Sequence, residues 1–198
     1  EIRFISNKKI INNINNNKIK KFFYKNKLLY AKKIVLVNSR SYDEIKFYEK
    51  SISEDYIVHL DHSLNYPEEL EFREAISDEN IKKHYFYLKN YLKDLSEKFN
   101  KKLIVCIHPG YNLKEYQKYF GKIPVVKFKT FEYISKAFIV TVFESSAVTN
   151  AILLKKRVIG LDSDYLDFNA KQMSSEAAKN FGFKQFHVEK DIKLESKK

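Results

Sequence analysis

Two short constellations carry side chains of the kind that handle phosphate. His108-Pro109-Gly110 follows the apolar run 103–107. Proline ends a strand and fixes its backbone, and glycine permits a tight turn, which leaves the imidazole at the rim of a sheet. There it can donate to a phosphate oxygen or stabilise charge on a leaving phosphate. Glu144-Ser145-Ser146 follows a second apolar run, 138–142, and opens onto a segment of helical character. Two adjacent hydroxyls beside the unpaired amides of a helix start, at the positive end of its dipole, would bind an anion without a glycine-rich loop. Between these motifs, Phe128, Lys129 and Thr130 would offer backbone to a nucleoside, and Glu132 would accept from ribose hydroxyls. Each motif also has a plain structural reading: a turn histidine, a serine N-cap, and a Thr130 cap with Glu132 complementing the helix dipole.

The elements that must hold these residues follow from hydrophobic periodicity. Strands are expected over 2–5, 34–37, 56–60, 103–107, 125–128, 138–142 and 157–161. A helix is expected over 41–50, capped by Ser41 with Glu44 completing a capping box. A long amphipathic helix over 78–99 places Ile81, Tyr85, Leu88, Leu92, Leu95 and Phe99 on one face, with Asp78 as its N-cap. Further helices are expected over 113–120, 131–137, 146–154 and 165–180. Short apolar strands alternating with amphipathic helices predict an α/β fold: a Rossmann-like parallel sheet with helices on both faces. Ligands of such sheets bind at the carboxyl ends of the strands, where both motifs fall. Asp61 and His62 follow one strand and have two readings, facing the cleft or, more plainly, forming a turn; Asp162, Ser163 and Asp164 follow another and either approach the same cleft or, more simply, cap the next helix.

Composition narrows the class. The chain has 198 residues, 44% of them apolar, enough for one good core. It has no apolar run of about 18 residues and no apolar signal-peptide centre, so the expected location is the cytoplasm. Its only cysteine, Cys106, excludes an internal disulfide and reads as a buried strand residue, not a nucleophile. The net charge is +12, and nine lysines with no acid lie between Lys8 and Lys33. Such a run suits phosphates, anionic lipids or nucleic acid, although a solvated basic face is the plainer reading. The chain opens on Glu1, not Met, which suits a processed or trimmed product or a fragment of a longer gene.

The order of the pieces then resembles a known family. Strand, His-Pro, helix, strand, helix with an acidic residue, strand, Ser-Ser, and Ala151-Ile152-Leu153-Leu154-Lys155-Lys156-Arg157-Val158-Ile159 resemble the C-terminal domain of GT-B glycosyltransferases. The pattern is most similar to bacterial surface-polysaccharide enzymes with paired HP and SS motifs, the sialyl-, polysialyl- and Kdo-transferases that use CMP-sugars. Teichoic-acid polymerases share a related layout. The resemblance covers residues 56–186. It implies that His108, with Pro109 and Gly110, and Ser145-Ser146, with Glu144, hold the donor phosphate, His108 acting catalytically. Phe128, Lys129, Thr130 and Glu132 would hold the sugar and base. It further implies an inverting, metal-independent transfer from a CMP-sugar or another nucleotide-sugar, with no other cofactor, to a glycan or glycolipid acceptor. Peripheral contact with an anionic membrane fits this reading, and no nucleic-acid partner is expected. Residues 1–55 would be a basic remnant of, or link to, an N-terminal domain, and 56–198 the nucleotide-sugar-binding domain. Two rivals stand beside it: a nucleotide-sugar epimerase on the same fold, and a non-enzymatic basic module that binds nucleotide or membrane.

Overall fold

A computed structural model describes residues 2–5, 33–36, 54–62, 64 and 75–190. The helix expected over 41–50, the Asn-rich stretch 12–17 and the lysine-rich run 8–32 lie outside them. The chain divides into two compact units, 1–46 and 47–198. In the first, β1 (Ile2–Ile5) pairs in parallel with β2 (Lys33–Leu36), Ile2 opposite Lys33.

The second unit alternates strand and helix. Its elements are β3 (Tyr56–Leu60), α1 (Asp78–Phe99), β4 (Lys102–Cys106), α2 (Leu113–Phe120), β5 (Val125–Val126), α3 (Thr130–Ser135), β6 (Ala137–Val142), α4 (Val148–Leu153), β7 (Arg157–Asp162), α5 (Phe168–Phe181) and β8 (Gln185–His187). The strands form one six-stranded sheet in the order β5-β4-β3-β6-β7-β8, every pair parallel. From β3 the chain steps outward to β4 and β5, returns to the other edge of β3, and steps outward again through β6, β7 and β8. This is the doubly wound order of Rossmann-like folds, with its reversal between β3 and β6.

Alternation along the strands explains the layers, because successive side chains point to opposite faces. Ile57, Leu103, Val105, Ile107 and Ile139 pack in one core cluster with Tyr85, Leu88 and Leu92 of α1 and Phe120 of α2. Val58, Leu60, Ile104, Cys106, Val140 and Val142 form the other cluster with Ile134 of α3 and Val148 and Ala151 of α4. Helix α5 relates to both: Ala170 near its start joins the first cluster, and Phe183 just past its end packs against the second. No helix among the described residues is long and apolar enough to cross a membrane.

Several boundaries depart from expectation for local reasons. The cap of α1 is Ser77, whose hydroxyl accepts from Asn80 N–H at 3.3 Å, so Asp78 begins the helix and complements its dipole. Phe99, expected on the buried face, is exposed beside the left-handed C-cap Asn100 (φ 49°). Strand β5 stops at Val126, because Phe128 adopts a left-handed backbone (φ 61°) that no strand accommodates. Thr130 does not cap α3; Lys129 occupies the cap position with no side-chain bond. Asp167, not the 162–164 segment, caps α5 by accepting from Ala170 N–H at 3.0 Å. Strand β8 was not expected at all.

A Cβ on Gly160 of β7 would stand 2.8 Å from Cε2 of the Phe183 ring. Gly160→Ala should therefore cost about 1–3 kcal/mol by overpacking, measured by denaturant unfolding, and pairing it with Phe183→Leu should recover part of the loss.

Candidate functional site

A cleft of about 490 Å³ opens at the carboxyl ends of the strands, around the reversal of strand order. Asp61 and His62 enter it from the end of β3, His108 and Tyr111 from the loop after β4, and Glu144, Ser145 and Ser146 from the end of β6. Val148 and Thr149 of α4 continue that side, and Met173, Ala177 and Phe181 of α5 form the remaining wall. The β3, β4 and β6 ends are adjacent because those strands are paired, which brings His108 and the serines together from distant parts of the sequence.

His108 is held by its own turn. Tyr111 N–H donates to His108 O at 3.1 Å, and Gly110 N–H donates to His108 Nδ1 at 3.2 Å. A ring nitrogen that accepts from an amide is unprotonated, so in the neutral ring the proton sits on Nε2, which becomes the donor. Tyr111 packs edge-on against the imidazole, ring centroids 5.6 Å apart, and is itself stacked on Tyr116. Gly110 is not left-handed; among the described residues only Gly121 and Gly182 are glycines with positive φ. Proline at the second position of the turn is sufficient to shape it.

The serines differ from expectation in one respect. Helix α4 begins at Val148, and Ser145 and Ser146 lie in the preceding turn. Ser145 O accepts from Val148 N–H at 3.1 Å and its hydroxyl oxygen from Ala147 N–H at 3.3 Å. A helix of one and a half turns has a small dipole, so any pull on an anion comes from hydroxyls and imidazole.

Of the remaining sequence candidates, Pro109, Gly110, Phe128, Lys129, Thr130 and Glu132 are not among the cleft-lining residues. Glu132 is committed to an i,i+4 ion pair with Lys136 at 2.9 Å, and that ammonium holds its carboxyl below the usual range. Thr130 meets the Cys106 thiol, which burial pushes up to about 12, so the thiol stays protonated near neutral pH. Cys106 is indeed a buried strand residue.

Asp61 and His62 are more than a turn. Asp61 is only 5% exposed, and its carboxylate accepts from Tyr85 OH at 3.1 Å and from His59 Nε2 at 3.3 Å. On the far side of that ring, Nδ1 lies 3.0 Å from Thr141 Oγ1. Hydroxyl, imidazole and carboxylate follow the order of a nucleophilic triad, but His59 and Thr141 are fully buried and no substrate reaches them. The network satisfies a buried carboxylate. Burial and the nearby Asp61 raise the Tyr85 hydroxyl well above its ordinary value, which keeps it a donor. His59, His62 and His84 surround Phe143, ring centroids 5.8, 6.1 and 5.0 Å from it.

Ser163 is buried, lies 3.1 Å from His84 Nδ1 and bonds Glu189 Oε1. Asp162-Ser163-Asp164 has the Asp-x-Asp spacing of metal-binding motifs, which the metal-free expectation passed over. Asp164, His187 and Glu189 do offer ligand atoms within 4.8 Å of one another. They engage each other, His187 with Asp164 at 3.0 Å and Glu189 at 2.8 Å, and the Lys190 ammonium stands 3.4 Å from Asp164. An ammonium in that position competes with a cation for the carboxylate.

The fold and cleft thus define a Rossmann-like α/β protein with a pocket at its topological switch point, polar on one side and apolar on the other. No family model, curated protein or solved structure matches the chain. Sequence reasoning missed the α5 wall, whose signal is the spacing of Met173, Ala177 and Phe181 by four residues along one helical stripe.

His84 sets a pH dependence. Burial, followed by the neighbouring His62 and His59, drives its pKa well below the ordinary 6.5. The unfolded chain then binds more protons than the folded one below about pH 6.5, so this contribution to stability is lost as pH falls through that window. His84→Asn should be less stable than the parent near neutrality. It should also lose less on acidification from about pH 7 to pH 5, as read from denaturant midpoints at each pH.

Proposed function

We propose that the cleft binds the nucleotide of a nucleotide-activated sugar, and that the chain is the donor-binding portion of a glycosyltransferase, with a CMP-sugar as the donor class. The observation that carries this reading is the meeting of His108, Ser145 and Ser146 at the reversal of strand order in a parallel sheet, the place where doubly wound folds hold nucleotides. An Nε2–H donor and two hydroxyls supply polar hydrogens for phosphate oxygens. In the transfer, an acceptor hydroxyl oxygen bonds to the anomeric carbon as the bond from that carbon to the phosphate oxygen breaks, the hydroxyl proton passes to a base on the acceptor side, and these donors stabilise the charge gathering on the leaving nucleotide.

Glu144 has only acceptor oxygens when ionised, which suits ribose hydroxyls better than phosphate. It takes the part that Glu132, tied to Lys136, was expected to play. Residues 61–77, which connect β3 to α1, contain no glycine. The dinucleotide fingerprint of an epimerase needs glycines at that turn so the backbone can approach a pyrophosphate, which weighs against that rival. The acceptor would be a surface glycan or glycolipid, and the lysine-rich run between Lys8 and Lys33 would favour work at the cytoplasmic face of an anionic membrane.

Calorimetric titration with CMP, CDP, UDP and GDP tests the reading: CMP or CDP should bind, with little turnover by the chain alone. His108→Ala, and Ser145→Ala with Ser146→Ala, should each weaken binding about tenfold or more, the scale of a lost hydrogen bond to a charged group. Failure of the parent chain to bind any of the four nucleotides would overturn it.

A further inference from the structure

Resting on that reading, we propose that the nucleobase packs against the α5 wall of the cleft, on Met173 and Phe181, and not on the β5 side where Phe128 stands. The cleft is two-sided. His62, His108, Glu144, Ser145 and Ser146 supply imidazole, carboxylate and hydroxyl groups, while Met173, Ala177 and Phe181 present an apolar stripe. Met173 and Phe181 are 49% and 48% exposed, so large apolar side chains face a pocket that otherwise suits a charged, hydroxyl-rich ligand. A nucleotide has one part with an apolar face, its base; phosphate, ribose and the transferred sugar are all polar. An anion seated on the serines therefore leaves the base as the piece the stripe would cover.

The stripe is also built for a flat partner. Phe181 stacks on Phe183, ring planes 12° apart with centroids separated by 6.5 Å, and Phe183 packs against Gly160 of β7. The Phe181 ring thus lies parallel to a neighbour that is itself seated against the sheet. Thioether sulfur is polarisable and makes favourable contacts with aromatic rings, so Met173 extends the same surface. Phe128 is 78% exposed and left-handed, but it does not line the cleft, and Lys127 lies 5.5 Å from its ring centroid.

Titration of the 198-residue chain and its variants with CMP, ribose 5-phosphate and inorganic phosphate separates the contributions. Phe181→Ala and Met173→Ala should weaken CMP binding about fivefold or more while leaving the two base-free ligands unchanged. Phe128→Ala should alter none of the three. A second readout needs no variant: Met173 is the only methionine in the chain, so a methyl-labelled sample reports from the wall itself. Its methyl resonance should move upfield with CMP, through the ring current of the base, and stay in place with ribose 5-phosphate or phosphate. Equal weakening of CMP and ribose 5-phosphate by the α5 variants, a base-selective loss in Phe128→Ala, or an unmoved methyl at CMP saturation would each overturn the inference with nucleotide binding intact. Absence of CMP binding in the parent chain would instead remove the reading on which it rests.

Discussion

Strand β3 is hydrogen-bonded in parallel to β4 on one edge and to β6 on the other, and the rest of the second unit is arranged around that pairing. Parallel neighbours cannot be joined by a tight turn, so each strand must be followed by a crossover that returns the chain to the starting end of the sheet. All the strand ends consequently face the same way. Because the crossovers leave β3 toward both edges, the loops on either side of the reversal part from one another. The cleft is the gap they leave. Its chemistry comes from residues that β3, β4 and β6 release within a few positions of their last ladder bonds: Asp61, His108 and Glu144.

A gap of this kind brings polar groups close to the core, and the fold accommodates them by pairing. Asp61 is held between His59 and Tyr85, and Ser163 between His84 and Glu189. Each group would be expensive to bury alone, and each is tolerated because a partner from another element meets it. Phe143 fills the space among the three imidazoles, so the apolar packing of the first core cluster reaches the floor of the cleft. Asp61, at the floor of the pocket, is therefore fixed by contacts formed on folding.

The strands other than β8, and most helices, were legible in the sequence because burial on both faces writes itself as short apolar runs. Val105 and Val140 would read the same way in any parallel sheet. His108 and Ser145-Ser146 were legible as strand-end residues because they stand within a few positions of such runs. What stayed hidden depends on tertiary partners. Nothing near Asp61 in sequence shows that Tyr85, 24 residues further along the chain, will bond it. Nothing before β8 shows that Ser163 will turn inward to meet Glu189 and not cap α5. The α5 wall has a visible period, but Met173, Ala177 and Phe181 lie beside a second stripe, Ala170, Ser174 and Ala178, that is the buried one. Periodicity reveals that a helix has faces and leaves open which neighbour each face meets. Phe128 shows the converse: a strand-like composition ends early because its backbone turns left-handed.

The two outermost strands are the shortest in the sheet, two residues in β5 and three in β8. A strand at the margin offers a row of unsatisfied amides and carbonyls that another chain can adopt, and the hazard grows with its length. Margins this brief present too little backbone to seed such a ladder. Among the described residues, the six-stranded sheet thus closes on borders too short to template a neighbouring chain.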